Sequence, residues 1–186
     1  MGEAELVQQC QQGMNNARKE LYDRYAGQML AICLRYTGGM DVSNDLLHDG
    51  FLKVFSSISS FTYQGEGSLK AWMGRIFVNM ALEYLKKKDV LRQVVPLELI
   101  AETEEDVSDD DLGEIPTDML MRFVHELPVG YRTVFNLYTF EEKSHKEIAV
   151  LLHINEKSSS SQLSRAKALL VKKVNEYIRL SNGKRR

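Results

Sequence analysis

Apolar residues recur at intervals of three and four along most of the chain, and no stretch of useful length alternates apolar with polar residues. A repeat near 3.6 residues places apolar side chains on one face of an α-helix, whereas a half-buried strand needs a repeat of two. The clearest case runs from Leu69 to about Lys88. There the repeat predicts Trp72 in the core and Arg75 and Asn79 together on another face. The pattern indicates an all-α protein.

Charge divides the chain into three parts. Between Asp89 and Asp118 there are 11 acidic residues and one basic residue, Arg92. The whole chain has 26 acidic and 24 basic residues, so 15 acidic and 23 basic residues lie outside this segment. Charge blocks of this kind are typical of linkers and tails. We therefore predict two small helical domains, residues 1–88 and 117–186, joined by an acidic flexible linker at 89–116.

Helix boundaries can be read from capping signals. The first domain is predicted to contain four helices, the third of them with Ser43 as its N-cap. A loop rich in serine and glycine, "SSISSFTYQGEGS", precedes the fourth helix and contains Phe61 and Tyr63. In the second domain Ser144 stands three residues before Glu147, which is the spacing of a capping box.

The stretch "HKEIAVLLHINEKSSSSQLSRAKALL" has the layout of a helix-turn-helix. Ala149 is small enough to let two helices approach closely, and Ile154 fills the space beneath the turn. The inner positions of the second helix are then Leu163, Ala166 and Leu170. Its outward positions offer hydroxyl, amide and cationic groups to a DNA groove: Ser158, Ser160, Ser161, Gln162, Ser164, Arg165 and Lys167.

Four consecutive serines, 158–161, disfavour a helix interior by about 2 kcal/mol relative to alanine. Contact with DNA would offset this cost, since serine hydroxyls can bind phosphates or base edges. A structural hairpin with a solvated polar face is the alternative at this point.

Several classes of function lack support in the sequence. Cys10 and Cys33 have no metal-ligand or disulfide spacing and are expected to be buried in a protein of a reducing compartment. No leader, lipidation signal or membrane span is evident, which predicts a cytoplasmic protein. The four histidines have no catalytic context, and "GEGS" lacks the lysine of a P-loop. We therefore expect neither an enzyme nor a bound cofactor or metal.

Three stretches taken in order resemble the small, two-domain extracytoplasmic-function (ECF) group of bacterial RNA polymerase sigma factors. They are "DLLHDGFLKVFSSISSF", "GEGSLKAWMGRIFVNMALEYLKKK" and "LPVGYRTVFNLYTFEEKSHKEIAVLLHINEKSSSSQLSRAKALL". The resemblance covers about residues 5–174, with a variable linker between its two halves. It implies a factor that binds core RNA polymerase, recognises two promoter elements and assists in promoter melting.

The resemblance also implies roles for particular residues. The helix at 45–55 corresponds to the one that docks on the clamp of the polymerase β′ subunit, and its candidate contacts are Asp45, Leu46, His48, Asp49 and Leu52. In the minus-ten region, Phe61 or Tyr63 is expected to capture a flipped base, and Arg75 and Asn79 to hold the melted strand. Aromatic rings beside cationic and amide groups suit single-stranded DNA.

The chain departs from the family pattern in the helix-turn-helix. His153 replaces a frequent glycine in the turn, Lys157 stands where glycine is common, and Ser160 replaces a frequent basic residue. Contacts to the minus-thirty-five element are therefore expected to be weaker, or shifted to Lys157, Arg165 and Lys167. The loop after Phe61 is longer than usual, which leaves open whether Phe61 or Tyr63 captures the base.

Two other classes of function fit parts of the sequence. A helix-turn-helix regulator that is not a polymerase subunit would bind duplex DNA tightly by itself, at twofold-symmetric sites. A helical adaptor would leave the basic balance of both domains without a purpose. The resemblance favours the sigma factor, with core RNA polymerase (β′ clamp and β subunits), promoter DNA as duplex and melted strand, and an anti-sigma factor as expected partners. The linker is further expected to occupy a basic channel of the polymerase and to suppress nonspecific DNA binding.

Overall fold

The computed structural model describes residues 1–88 and 115–184, with side chains as far as residue 181. The chain divides into two compact units, Met1–Lys88 and Asp89–Arg186. Every regular element in the described ranges is helical, which confirms the predicted all-α class. The predicted acidic linker, 89–116, lies outside the described residues except for its last two, and its role stays a prediction.

The first unit is a cluster of four helices. They are α1 (Glu3–Gln11), α2 (Asn15–Thr37), α3 (Met40–Ser57) and α4 (Ser68–Lys87), with a 3₁₀ turn at Ile58–Ser60. α2 packs against α1, α3 and α4, and α3 also packs against α4. The largest fully buried side chains of this core include Tyr36, Phe77, Leu21, Met29 and Met73. α4 begins within one residue of its predicted start, because its apolar repeat is long and regular.

α3 and α4 approach each other most closely at Gly50. A Cβ atom built on Gly50 would lie 2.1 Å from Cε1 of Phe77, whose side chain is fully buried. The Phe77 ring also packs edge-on against Phe51, at 5.5 Å between centroids. Only glycine fits between the two helices at this point, so Gly50 sets the distance between α3 and α4.

The predicted cap of α3 is wrong. α3 begins at Met40 with Gly39 as its N-cap, and Ser43 lies buried inside the helix. The Ser43 hydroxyl donates to the Gly39 carbonyl at 2.7 Å and lies 2.6 Å from the hydroxyl of Thr37. Serine can bond the carbonyl four residues earlier as readily as it caps a helix, and the sequence does not distinguish the two roles.

Both cysteines are free and buried, as expected. Burial raises the pKa of the Cys33 thiol to about 12 and also raises the pKa of Cys10. Both thiols are therefore protonated at neutral pH and behave as small apolar side chains.

The second unit contains α5 (Thr117–His125), α6 (Val129–Thr139), α7 (His145–Leu152) and α8 (Glu156–Lys184). α8 is the central helix, since α5, α6 and α7 all pack against it. One apolar cluster centres on Ile115, Phe123 and Val174. A second centres on Leu127, Tyr131 and Ala166. This arrangement packs one side of α8 against the other three helices and leaves a row of its side chains, among them Lys157, Ser160, Ser164 and Lys167, exposed.

α7 begins with the predicted capping box. The Glu147 amide donates to the Ser144 hydroxyl at 3.3 Å, and Glu147 Oε2 accepts from the Ser144 amide at 2.8 Å. Hydrogen bonds from the amide and hydroxyl of Ser144 hold the pKa of Glu147 below its usual value. α7 ends at Leu152, and its C-cap residue, His153, adopts a left-handed conformation with φ 55°. The turn therefore keeps the positive φ that glycine would favour.

We expect Gly50→Ala to lower the free energy of unfolding of the first unit by about 1–3 kcal/mol, because the added methyl overpacks the core against Phe77. The matched control is Gly27→Ala in α2, where a Cβ meets nothing within 4 Å. That control should instead raise stability by about 0.5–1 kcal/mol through helix propensity. Urea unfolding followed by the fluorescence of Trp72, the single tryptophan, measures both. Equal effects of the two substitutions would contradict the close approach.

Loss of the cap in Ser144→Ala should destabilise α7 by about 1 kcal/mol. Hydrogen exchange of the α7 amides at neutral pH measures this, with Ser164→Ala on the exposed side of α8 as the control. Glu147 has a lowered pKa, so its share of the cap is present above its unfolded pKa and is lost as the pH falls through the folded value. The difference between wild type and Ser144→Ala should therefore shrink in acid, and a difference that grows there would contradict the capping box.

Candidate nucleic-acid and protein interfaces

The exposed face of α3 carries four of its five candidate contacts. Asp45, His48, Asp49 and Leu52 follow one another at intervals of three, one and three residues, and all four are exposed. Leu52 is 67% exposed, which is high for a large apolar side chain. A single exposed leucine is unremarkable by itself, but this one continues a row of ionisable side chains on one helix face. That row is accessible to another protein on the exposed side of α3.

Leu46 does not belong to that exposed row. Its side chain is only 9% exposed, on the side of α3 that also buries Leu47 and Gly50. The contact between Leu46 and a partner stays a prediction, and the structure leaves little of this side chain accessible for it. The mismatch follows from the geometry of the helix: Leu46 is one residue from Asp45, and adjacent residues point about 100° apart.

Phe61 packs against Trp72, which lies near the start of α4 on the side of that helix that also carries Arg75 and Asn79. Their ring centroids lie 4.9 Å apart with an interplanar angle of 34°, and both side chains are half-buried. The expectation of Trp72 in the core was wrong, because the buried row of α4 follows Leu69, Met73 and Phe77 at intervals of four. Trp72 lies at the edge of that buried row and is half-exposed.

Arg75 and Asn79 are exposed and lie one turn apart on α4. Trp72 stands three residues before Arg75, so the aromatic pair and the two polar side chains share one side of the helix. Tyr63 is half-buried, and within residues 1–88 no ring contact to it is seen. The fold thus brings Phe61 to the polar face of α4 through Trp72, a link that the sequence analysis missed.

The second unit forms the helix-turn-helix predicted at 145–170. Ile148 and Ala149 of α7 and Leu163 and Ala166 of α8 are buried, as the inner positions require. In the turn, the Ile154 amide donates to the Ala149 carbonyl at 3.1 Å.

Asn155 supplies a cap at the start of α8. Its Oδ1 accepts from the Ser158 amide at 2.7 Å, and its carbonyl accepts from the Ser159 amide at 3.1 Å. Asparagine is among the strongest N-cap residues and contributes about 1 kcal/mol. The cap explains how α8 can begin at Glu156, directly before a run of four serines.

Ser159 is fully buried and was missing from the predicted inner positions. Its hydroxyl lies 2.9 Å from Nδ1 of His145, which is the first residue of α7. The His145 ring stacks on Tyr138 at 4.9 Å, and Lys167 lies 6.0 Å from the centroid of the same tyrosine ring. The signal was available, since Ser159 precedes Leu163 by four residues and continues the inner row.

The remaining predicted residues of α8 divide by exposure. The exposed side chains are Lys157, Ser160, Ser164 and Lys167, and the half-buried ones are Ser158, Ser161, Gln162 and Arg165. At about 100° per residue these positions surround the helix on three sides, so they cannot all face one groove at once. The first turns of α8 therefore offer a polar and basic surface of which one side can enter a groove.

The residues at 1–88 and 115–184 include no helix that combines the length and hydropathy needed to cross a membrane. Across the same residues, no three metal-ligating side chains come together.

Two family models match the chain, in the order expected. The model for sigma-70 region 2 matches residues 21–90, and the model for sigma-70 region 4 matches residues 117–170. Together they cover about two thirds of the chain. The first includes α3, α4 and the intervening loop, and the second includes α5, α6, α7 and the first half of α8.

Curated relatives match nearly the whole length. The chain is 28% identical over 181 residues to the ECF RNA polymerase sigma-E factor of Haemophilus influenzae, covering 91% of this chain and 93% of that protein. It is 26% identical over 154 residues to the ECF RNA polymerase sigma factor SigM of Bacillus subtilis, covering 81% and 91%. A solved structure of CnrH in complex with the cytosolic domain of CnrY aligns with a TM-score of 0.47 at 22% identity, covering 92% of this chain and 96% of that chain.

Matches to both sigma regions disfavour a helix-turn-helix regulator that acts without polymerase, because region 2 would have no place in such a protein. The chain belongs to the ECF group of RNA polymerase sigma factors, transcription initiation factors that direct RNA polymerase to promoters.

Proposed function

We propose that this sigma factor divides its task among three surfaces. The α3 row docks on core polymerase, the α4 surface and its preceding loop hold the melted minus-ten strand, and the start of α8 reads the minus-thirty-five duplex. The observation that carries the proposal is the meeting of an aromatic pair with Arg75 and Asn79 on one side of α4. Single-stranded DNA needs stacking surfaces beside cationic and amide groups, and this surface supplies them.

Docking uses the exposed face of α3. Asp45, His48, Asp49 and Leu52 contact the clamp of the β′ subunit, with Leu52 as the apolar centre of a charged contact. Protein interfaces commonly combine a desolvated apolar centre with a polar rim. The second unit is assigned to the β subunit, by resemblance to the family.

Strand capture uses the loop before α4. A flipped base needs a pocket with an aromatic wall, and stacking on an aromatic side chain contributes about 1–3 kcal/mol per base. Phe61 already packs on Trp72, so its ring is held in place, whereas Tyr63 retains a hydroxyl that can select among bases. Both are candidates, and Arg75 and Asn79 hold the sugar-phosphate backbone beside them.

Duplex recognition uses the start of α8. Lys157, Arg165 and Lys167 supply cations for phosphates, and Gln162 supplies an amide that can pair with adenine. Hydroxyl groups complete this surface at Ser158, Ser160, Ser161 and Ser164. Together they would offset the low helix propensity of the serine run.

The remaining assignments follow from the family. The factor performs no covalent chemistry itself, acts in the cytoplasm with the polymerase, and is held inactive by an anti-sigma factor. The acidic linker occupies a basic channel of the polymerase and reduces DNA binding by the free chain.

Neutralising the acids between Glu102 and Asp111 should therefore raise the DNA affinity of the free protein. Unchanged affinity would contradict the proposal that the linker reduces DNA binding by the free chain.

Runoff transcription from a genomic promoter library tests the function. Purified core polymerase with this protein should give new starts that share two motifs at a fixed spacing, and core polymerase alone should not. Tight binding of the free chain to a palindromic duplex, without any new starts, would contradict the proposal. The shared motifs also supply promoter DNA for the tests that follow.

The capturing ring can be identified by comparing Phe61→Ala with Tyr63→Ala. The variant that loses the capturing ring should weaken holoenzyme binding to minus-ten single strands by about 1–3 kcal/mol, and only when the captured base is present. The other should lose little affinity for either strand. Fluorescence anisotropy with intact and abasic oligonucleotides measures both, and Tyr63→Phe tests the hydroxyl. If neither variant depends on the base, capture does not occur in this loop.

Gln162→Ala and Arg165→Ala distinguish base reading from phosphate binding. Loss of a base contact should cost about 1–3 kcal/mol and relax specificity at one promoter position. Loss of a phosphate contact should weaken all promoters alike and reduce the salt dependence by about one ion. We expect the first pattern for Gln162 and the second for Arg165. Transcription from promoter variants at several salt concentrations distinguishes the two patterns. A phosphate pattern for Gln162 together with a base pattern for Arg165 would contradict the proposed docking of α8.

A further inference from the structure

α1 makes hydrogen bonds to both ends of the loop that precedes α4. At the first end, Nε2 of Gln11 donates to the carbonyl of Ile58 at 3.0 Å and to the carbonyl of Phe61 at 2.8 Å. Gln11 is the last residue of α1, and Phe61 is the residue at which the chain leaves the 3₁₀ turn. One side chain thus fixes the backbone of the residue whose ring meets Trp72.

At the other end, the Glu3 carboxylate bonds the start of α4. Oε2 of Glu3 accepts from the Gly67 amide at 3.1 Å, and Oε1 accepts from the Leu69 amide at 3.2 Å. Gly67 is the N-cap of α4, has a φ of 85° and lacks a side chain that could cap the helix. Glu3 therefore caps α4 from another helix, where a negative charge also suits the positive end of the helix dipole.

Tyr25 holds Glu3 in this place. The Tyr25 hydroxyl donates to Oε2 of Glu3 at 3.0 Å, and the tyrosine side chain is buried in the first unit. The pKa of Tyr25 is raised, mainly by burial and to a smaller extent by the hydrogen bond to Glu3. The phenol therefore stays protonated and remains a donor at neutral pH. The carboxylate accepts three hydrogen bonds, two from the loop end and one from the core.

The two contacts are separated along α1. Glu3 and Gln11 are eight residues apart, which corresponds to about 12 Å of helix. α1 itself is anchored by Leu6, Val7 and Cys10, which are buried between these positions. The helix can therefore stay packed when either polar contact is lost, while the loop loses a support.

We infer that Glu3 and Gln11 are positioning residues for capture of the minus-ten base, with α1 as a rigid brace across the loop at 61–67. The inference rests on the proposed function, because it assigns a task to the loop that this function requires. Neither residue needs to touch DNA. Their effect is to hold Phe61 and the start of α4 at a fixed separation, so that the pocket exists before the strand arrives.

The test uses two near-isosteric substitutions. Glu3→Gln removes the charge and one acceptor, and Gln11→Glu replaces the donor by an acceptor that faces two carbonyls. Glu5→Gln and Gln12→Glu are the matched controls, because they change the same charges on exposed neighbours in and beside α1. Glu5 bonds only Gln9 of its own helix in the described structure.

The first readout is the fluorescence of Trp72 in the full-length free chain. It is the only tryptophan, and its ring lies 4.9 Å from that of Phe61. Release of the loop should shift its emission and increase quenching by acrylamide in Glu3→Gln and in Gln11→Glu. The controls should match the wild type. Unchanged Trp72 fluorescence in both test variants would overturn the brace.

The second readout is base discrimination by the assembled holoenzyme. Binding is measured to minus-ten single strands, intact and with an abasic site in place of the captured base. The wild type should prefer the intact strand by about tenfold, as expected for one stacked base. Each test variant should reduce this preference to about threefold or less, while its affinity for core polymerase stays unchanged.

These outcomes distinguish failure of the inference from failure of the proposed function on which it rests. A wild type that does not discriminate refutes capture in the loop, and the inference falls with it. A discriminating wild type with equally discriminating variants refutes the brace alone. Variants that lose discrimination only together with core binding and thermal stability assign Glu3 and Gln11 a general structural role, which also overturns the inference. If one variant does not fold, the other gives the same three comparisons.

Discussion

The contact between Gly50 and Phe77 is the constraint on which the first unit depends. α3 bears the proposed polymerase-docking row on its outer face, and α4 bears the proposed strand-holding surface on its own. The absence of a side chain at Gly50 lets the two helices pack at the Phe77 ring. The distance between docking and strand surfaces is therefore set by one glycine and one buried ring. In the proposed function, a rigid core of this kind fixes the DNA-holding helix relative to the polymerase, because close-packed interiors do not deform continuously.

In the second unit the serine run has one observed role and one proposed role. Ser159 faces inward and bonds His145, which ties the start of α8 to the start of α7. Ser160 is exposed, and Ser158 and Ser161 are half-buried, at the position where the helix-turn-helix meets DNA in the proposed function. Asn155 caps the helix, so the unfavourable propensity of the run is offset partly within the protein and partly, we propose, by DNA.

Features encoded within a few residues could be predicted from the sequence. The capping box of Ser144, the long apolar repeat of α4 and the helix-turn-helix layout are local, and the structure confirms them. Features that depend on long-range packing could not. Trp72 matched the apolar repeat but lies on its edge, and Leu46 was grouped with exposed neighbours although it is buried. The cap that Glu3 supplies to α4 joins residues more than 60 positions apart, which no local pattern reveals.

In the proposed function, this chain opens promoter DNA only as part of the polymerase. Permanganate reactivity of thymines, measured on a promoter from the runoff library, tests this claim most directly. We predict reactive thymines in and just downstream of the minus-ten element with holoenzyme, and none with core polymerase or with the free chain. Reactivity that is absent with holoenzyme, while the free chain protects the duplex, would contradict the account and indicate a regulator of duplex DNA.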